Sequence, residues 1–184
     1  FLGHPDNNEL QSSSLEVINS NSNSNFICHT HTTIHSMTWG CIFLCSVHTK
    51  SGCYAIPFPP TIQLSAEGEA QFVKRPSRLK GAVSIITYDL CNSSSKEAAA
   101  KIAIMSKVPL KQKPNQCGLG VFDIGTECNR DLFHEMSKNS GTTFVRGPAK
   151  GPNLTYKSES VTIMATMSKG ITASVKVQVK KNCK

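Results

Sequence analysis

The stretch ITASVKVQVK at residues 171–180 has apolar side chains at odd positions and polar side chains at even positions. Successive side chains of a β-strand point to opposite faces, so this pattern predicts a strand with one buried face and one solvated face. The runs 83–88, 102–105, 120–124 and 161–166 are β-branched or alternate in the same way. Gly, Pro and Asn residues typical of turns separate them. The sequence therefore predicts an all-β fold, an antiparallel β-sandwich or jelly roll.

One segment favours a short helix instead. Residues 95–101, SKEAAAK, combine a capping Ser with strong helix formers. Such a helix would come directly before the strand that starts at Ile102.

The chain changes character near residue 55. Residues 1–55 contain Lys50 as their only Lys or Arg, whereas residues 56–184 contain all the others in a chain of net charge +8. We therefore predict two regions, a low-complexity leader at 1–55 and a basic β-sandwich domain at 56–184. The second region is long enough for a full hydrophobic core.

The leader contains a candidate signal peptide. The Ser- and Asn-rich residues 1–26 cannot bury enough apolar surface to offset the entropy of ordering, so we expect disorder there. From Met37 the chain enters the apolar run 39–47, which is typical of the central region of a signal peptide. Small residues up to Ala55 fit a cleavage site, giving a candidate signal peptide at 37–55. No run approaches the roughly 20 apolar residues of a membrane span.

A zinc module is the alternative interpretation of the same region. It contains a cluster of thiols and imidazoles: Cys28, His29, His31, His35, Cys41, Cys45, His48 and Cys53. Zinc favours tetrahedral sites made of such ligands, and the spacings from Cys41 to Cys45 and from His31 to His35 are acceptable. Ordinary disulfides remain open for these cysteines. Together with the basic domain, a zinc module would give an intracellular nucleic-acid-binding protein.

The basic residues after the break form groups along the chain. The candidate ligand-binding residues are Lys74, Arg75, Arg78, Lys80, Lys107, Lys111 and Lys113. Positive potential attracts polyanions, so the candidate partners are a heparin-like glycan, an anionic membrane surface or nucleic acid. Nucleic acid is the poorest fit, because aromatic residues for base stacking are scarce near these groups apart from Phe72.

No set of residues identifies an enzymatic reaction. The segment from His134 to Lys138 begins like a zinc-protease helix but has Lys138 where a second His is required. Gly118 and Gly120 lack the spacing of a dinucleotide loop, and no Gly-x-Ser-x-Gly elbow occurs. We predict that the chain is not an enzyme and uses no cofactor or metal.

Two glycosylation sequons favour a secreted domain. They are Asn92-Ser-Ser and Asn153-Leu-Thr, and both lie after the break, while the Asn-rich leader has none. We predict glycosylation at Asn92 and Asn153.

Several segments between about residues 61 and 179 resemble a CUB domain. They are 101–104 (KIAI), 117–125 (CGLGVFDIG), 156–164 (YKSESVTIM) and 171–179, with Cys91 at the cysteine that precedes that family's central strands. The resemblance implies an extracellular β-sandwich that binds proteins or glycans and catalyses nothing. In that frame the disulfides would be Cys117–Cys128 and Cys91–Cys183, although sequence leaves the pairing open.

These observations predict a secreted, disulfide-bonded, glycosylated extracellular module that recognises an acidic glycan or a partner protein. The alternative is an intracellular zinc-containing protein that binds nucleic acid through residues 28–53 and the basic domain.

Overall fold

The structure is a computed structural model, which describes residues 29–36, 41–75, 79–92, 95, 97–110, 113–150 and 153–182. The strands are β1 (His29–Ser36), β2 (Cys41–Ser51), β3 (Cys53–Ile56), β4 (Thr61–Gln63), β5 (Glu67–Val73), β6 (Ala82–Cys91), β7 (Ala98–Val108), β8 (Gln116–Phe122), β9 (Phe144–Pro148), β10 (Leu154–Lys157), β11 (Val161–Met167) and β12 (Thr172–Lys181). Helix α1 (Arg130–Lys138) connects β8 to β9.

Within the described residues the strands form two six-stranded sheets. The first sheet has the order β10-β11-β12-β1-β5-β3, and the second has the order β4-β2-β6-β7-β8-β9. Strands β1 and β12 run parallel, and the other described pairs are antiparallel. The predicted antiparallel β-sandwich is confirmed.

The core lies between the two sheets. In β12 the side chains of Val175, Val177 and Val179 are buried, while Lys176 and Gln178 between them are exposed, as the alternation predicts. These valines pack against side chains of the second sheet, including Ile86, Tyr88, Leu90, Ile102, Ile104 and Leu119. Burial of this apolar surface is the main driving force for the sandwich.

Residues before the predicted boundary at residue 56 belong to the sandwich. Strand β1 lies between β12 and β5, and β2 lies between β4 and β6. In β1 the side chains of Thr30, Thr32 and Ile34 are buried. The structure thus places 29–36 and 41–56 inside the domain that the sequence analysis began at residue 56. A cut after Ala55 would remove two interior strands.

The helix is also displaced from its predicted position. Residues 98–101 are strand, because Ala100 and Lys101 pair with Leu90 and Asp89 of β6, and this pairing overrides local helix propensity. The helix forms at 130–138, where the Asn129 side chain caps the amides of Asp131 and Leu132 at 2.9 and 3.1 Å.

Helix α1 covers the outer face of the second sheet. Its side chains Leu132, Phe133 and Met136 are buried against Ile85 and Met105 of that sheet, in a second apolar cluster separate from the core. The second sheet is therefore covered on both faces along part of its length.

Candidate anion-binding surface

One end of the sandwich is strongly basic, and we call it the basic end. Its connecting segments are the turn at 52 and the loops 74–81, 109–115, 149–153 and 168–171, which meet where Phe72, Ala82, Val108 and Ala173 of the two sheets pack together. Its described cations are Lys74, Arg75, Lys80, Lys113, Lys150 and Lys169, and no described residue of these segments is Asp or Glu.

The connecting segments of the other end, which we call the opposite end, have the reverse charge, while the adjoining strands β10 and β12 bring Lys157, Lys180 and Lys181 into a cleft with Glu159. The connecting segments are 64–66, 92–97, 123–129, 139–143 and 158–160. Their described residues include Glu97, Asp123, Glu127 and Glu159, and none of the described residues there is Lys or Arg. The charge of the connecting segments is thus segregated along the strand direction.

A cleft of about 350 Å³ lies at the centre of the basic end. Lys113, Lys150 and Lys169 line it together with the apolar side chains of Leu110 and Ile171. The cleft can therefore offer positive charge and apolar contact to the same ligand.

The buried Asn115 side chain fixes the walls of this cleft. Its amide donates hydrogen bonds to the carbonyls of Ser168 and Gly170 at 3.0 and 2.8 Å, and its backbone carbonyl accepts from the amide of Ala149 at 2.8 Å. Three loops are therefore held together before any ligand arrives, which lowers the entropy cost of binding.

A second, smaller and more polar cleft lies beside β2. Thr49, Lys50, Ser51, Gly52, Arg75 and Lys80 line it. The Arg75 Nε donates to the Gly52 carbonyl at 3.2 Å, and the Ser51 hydroxyl donates to the Gly81 carbonyl at 2.6 Å. Gly52 has φ of 104°, a conformation that favours glycine, so the turn brings Lys50 and Arg75 to one cleft.

Exposed aliphatic side chains stand among the cations of the basic end. Leu79 is 90% exposed, and it comes directly before Lys80. Ile171 is 39% exposed and follows the turn of Lys169 and Gly170. Leu64 and Ile124 of the opposite end are also exposed, at 52% and 42%, so the high exposure of Leu79 is what distinguishes the basic end.

Most of the predicted basic residues gather at this end. Arg75, Lys80 and Lys113 are exposed there, and Lys74 is half-buried. Arg78 and Lys111 lie outside the described residues. Lys107 lies apart from the clefts, half-buried on the outer face of the second sheet.

The sequence analysis missed Lys150, Lys169, Lys50 and Leu79. Each cation is isolated in the sequence, and only the meeting of separate loops unites them. The turn signals around Gly147-Pro148 and Lys169-Gly170 were the available clue, because antiparallel strands return alternate turns to the same end.

The structure does not form the predicted Cys117–Cys128 disulfide. Cys117 points into the core between the sheets and Cys128 packs with the helix cluster on the other face of the second sheet, and both thiols are free. Burial raises the pKa of Cys117 to about 12, so this thiol is unreactive at neutral pH. Cys91 is also a free, buried thiol, and its predicted partner Cys183 lies outside the described residues.

The two sequon asparagines differ in accessibility. Asn153 is exposed just before β10, whereas Asn92 is half-buried after β6. Glycosylation at either position stays a prediction.

The described members of the Cys/His cluster are dispersed. His31 and His35 face outward from β1 and pair with Glu69 and Glu67 at 3.6 and 3.5 Å. Cys45 packs against the core, while His48 lies beside the Phe133 ring at 6.3 Å between centroids. Within the described ranges no group of three or more His, Cys, Asp or Glu side chains could hold a metal ion. Cys28 lies outside those ranges.

Comparisons with known proteins give a fold but no family. No family model and no curated protein matches the chain. Among solved structures, it is similar to the lipid binding protein Nakanori, with a TM-score of 0.65 at 14% identity over 83% of this chain and 71% of that one. At this identity the similarity shows the β-sandwich fold alone. The resemblance to a CUB domain stays a prediction.

Weaker similarity extends to two other solved structures. IP-1A from Alcaligenes faecalis has a TM-score of 0.48 at 8% identity, covering 84% of this chain and 91% of that one. RahU protein in complex with a TRIS molecule has a TM-score of 0.43 at 9% identity, covering 85% of this chain and 96% of that one. Among the residues that the structure describes, no helix is long and apolar enough to span a bilayer.

Proposed function

We propose that this chain is a peripheral binding module that docks on anionic lipid membranes through its basic end. The observation that carries the proposal is the segregation of charge between the connecting segments of the two ends of the sandwich. Loops at the basic end present Arg75, Lys80, Lys113, Lys150 and Lys169 without a described carboxylate among them.

Electrostatics alone gives this surface useful affinity. Each Lys or Arg close to an anionic lipid surface contributes about 1 kcal/mol at physiological salt. The exposed cations of the basic end lie in loops that face one direction, so they can meet a flat surface together. The attraction falls off within about 10 Å at 0.1 M salt, which makes binding sensitive to ionic strength.

The aliphatic loop tips favour a lipid surface over a purely polar polyanion. Leu79 protrudes between the cations, and Ile171 lines the central cleft. Burying a leucine side chain in an apolar phase contributes about 1.5–3 kcal/mol. Cations combined with protruding apolar groups are the usual chemistry of proteins that lie on a membrane surface.

The similarity to Nakanori is consistent with this proposal, since that protein is described as lipid binding. The support is limited to a shared fold, because folds host unrelated functions and the binding residues must be argued for each chain. The basic end of this chain supplies that separate argument.

An acidic glycan, the partner predicted from the sequence, would use the same cations. It would not use Leu79, and this difference separates the two partners. Secretion, glycosylation and the absence of enzymatic activity stay predictions.

The deciding experiment compares vesicle binding with heparin binding for the same variants. Vesicles of phosphatidylcholine with and without phosphatidylserine are sedimented with the protein, and heparin-column retention is measured in parallel. We expect binding to the anionic vesicles that weakens as salt rises. Leu79→Ser should weaken vesicle binding about tenfold or more while leaving heparin retention unchanged.

Leu64→Ser is the matched control, because Leu64 is 52% exposed in a segment of the opposite end. It should bind vesicles as the wild type does. Equal binding to neutral and anionic vesicles would overturn the proposal, as would heparin retention without any vesicle binding, which would instead favour the glycan.

A further inference from the structure

A cluster of cations surrounds the Phe133 ring on the outer face of the second sheet. The Nζ atoms of Lys50 and Lys107 lie 5.1 and 5.5 Å from the centroid of that ring. The charges of Arg146 and Lys138 act on Lys107 at the same place. Strands β2, β7 and β9 and helix α1 each contribute one of these cations. We call this set of residues the Phe133 cluster.

Two cations of the Phe133 cluster, Arg146 and Lys107, are held in place by hydrogen bonds. The Arg146 guanidinium donates to the backbone carbonyls of Met136 and Asn139 at the end of helix α1. The Lys107 ammonium donates to the side-chain carbonyl of Gln116 at 3.4 Å. The ring of Phe133 is itself buried by the packing of the helix. Half of the cluster is therefore fixed by its neighbours, and the exposed Lys50 and Lys138 add charge beside it.

Among the described residues no carboxylate forms an ion pair with these cations. The ion pairs within the described residues are His31–Glu69, His35–Glu67 and Lys101–Asp89, and none includes a member of the cluster. Burial lowers the pKa of Lys107, and the charges of Arg146, Lys50 and Lys138 lower it further. Cations brought together in this way repel one another, and a bound anion removes that cost.

We infer that the Phe133 cluster is a binding site for the dianionic phosphate of a phosphomonoester. Several convergent cations match a doubly charged group better than the single charge of a phosphodiester. The ammonium groups already placed over Phe133 would repel a cationic headgroup such as choline. The phosphate can belong to free phosphate or to a lipid headgroup. The inference deepens the proposed function and rests on it for the lipid source.

The site is continuous with the basic end. Lys50 belongs both to the Phe133 cluster and to the small cleft that Arg75 and Lys80 line. A membrane in contact with the basic end would therefore lie beside the Phe133 cluster. The loops would provide general attraction, and the cluster would select the headgroup.

The first test uses inorganic phosphate and the whole chain in solution. Lysine side-chain signals are followed by NMR during phosphate and pH titrations. We expect phosphate to raise the pKa of Lys107, because a bound anion favours the ammonium form. Lys107→Gln should weaken phosphate binding about tenfold, and Lys107→Arg should retain most of it.

Two further variants control for folding and for nonspecific charge. Lys50→Gln changes an exposed cluster residue without disturbing the packing, so it should weaken phosphate binding even if Lys107 variants fold poorly. Lys176→Gln removes an exposed lysine on the outer face of the first sheet and should have no effect. A phosphate titration that moves no signal of Lys50 or Lys107 would overturn the inference.

The second test uses vesicles of matched surface charge that contain either phosphatidic acid, a phosphomonoester, or phosphatidylserine, a phosphodiester. We expect a preference for phosphatidic acid that disappears in Lys50→Gln. Equal binding to both vesicles, with no response to phosphate, would refute the phosphomonoester site and leave the proposed function standing. Phosphate binding without binding to either vesicle would support the site for free phosphate and refute the membrane proposal.

Discussion

The two ends of the sandwich share one construction, and their connecting segments carry opposite charges. At the basic end the amide of Asn115 donates to the carbonyls of Ser168 and Gly170. At the opposite end the amide of Asn182 donates to the carbonyl of Ser158 at 2.7 Å. In both places an asparagine side chain fixes a turn that joins two strands of the first sheet.

The difference between the ends therefore lies in the loops. Strand β6 has 10 residues, so it separates the ends by about 33 Å. This separation exceeds the screening length of about 10 Å at 0.1 M salt, which lets each end present its own potential. The framework provides rigidity, and the connecting segments decide what the molecule binds.

Truncation of the chain before Ile56 should have the largest effect, because it removes strands of the framework that carries both ends. A chain that begins at Ile56 lacks β1 and β2, which are interior strands of the two sheets. We expect this fragment to remain unfolded. The loss of β1 and β2 exposes the buried faces of β12 and β6 and leaves backbone groups of β12 and β6 unpaired. Circular dichroism and thermal unfolding against the full chain measure the effect. A fragment with cooperative unfolding would contradict the structure and restore the domain boundary at residue 56.

Reversing the charge of the basic end should have the next largest effect. The triple variant Arg75→Glu, Lys80→Glu and Lys113→Glu should lose more than about hundredfold in affinity for anionic vesicles, since each lost cation costs about 1 kcal/mol. Vesicle sedimentation at low and at raised salt gives the affinity and its electrostatic share.

The matched variant reverses the opposite end, with Glu97→Lys, Glu127→Lys and Glu159→Lys. It changes net charge by the same amount in the other direction, yet vesicle affinity should change by no more than about threefold because these positions lie beyond the screening length. Tight binding gained by the opposite-end variant would mean that net charge, and not the basic end, governs docking.

Replacing the asparagines that fix the turns, Asn115 and Asn182, should have the smallest effect. Asn115→Ala and Asn182→Ala should each lower the free energy of unfolding by about 1–3 kcal/mol, because each leaves turn carbonyls without a donor. Only Asn115→Ala should also weaken vesicle binding, since Asn115 shapes the cleft of the basic end. Denaturant unfolding and vesicle sedimentation are measured on both variants. Equal vesicle binding by the two would show that the central cleft plays no part in docking.

The parts of the fold that the sequence predicts well are strands with one apolar face. Residues 171–180 are recognisable because apolar side chains occupy every inward position of β12. Strand β1 is not recognisable in this way, because Thr30 and Thr32 fill two of its inward positions and Ile34 is its only apolar residue. The apolar run of β2 has the length of a signal-peptide core, so hydrophobicity alone does not distinguish a strand from a signal peptide.

The candidate site was predictable only where its cations are close together in the sequence. Three of its described cations, Lys74, Arg75 and Lys80, lie close together in the sequence. Lys150 and Lys169 join them only through antiparallel pairing, and the Phe133 cluster requires three strands and the helix. Sequence reveals local charge density, whereas convergence of distant residues depends on the sheet order.

The parallel pairing of β1 with β12 has a consequence for biosynthesis. His29 meets Thr172 and Ser36 meets Val179, so the first described strand is adjacent to the last one. Contacts so distant along the chain form slowly, because a long loop must close before they contribute stability. A nascent chain emerging from the ribosome would hold β1 with one edge unpaired until β12 appeared. The yield of folded protein would then depend on how well chaperones protect the unpaired edge of β1.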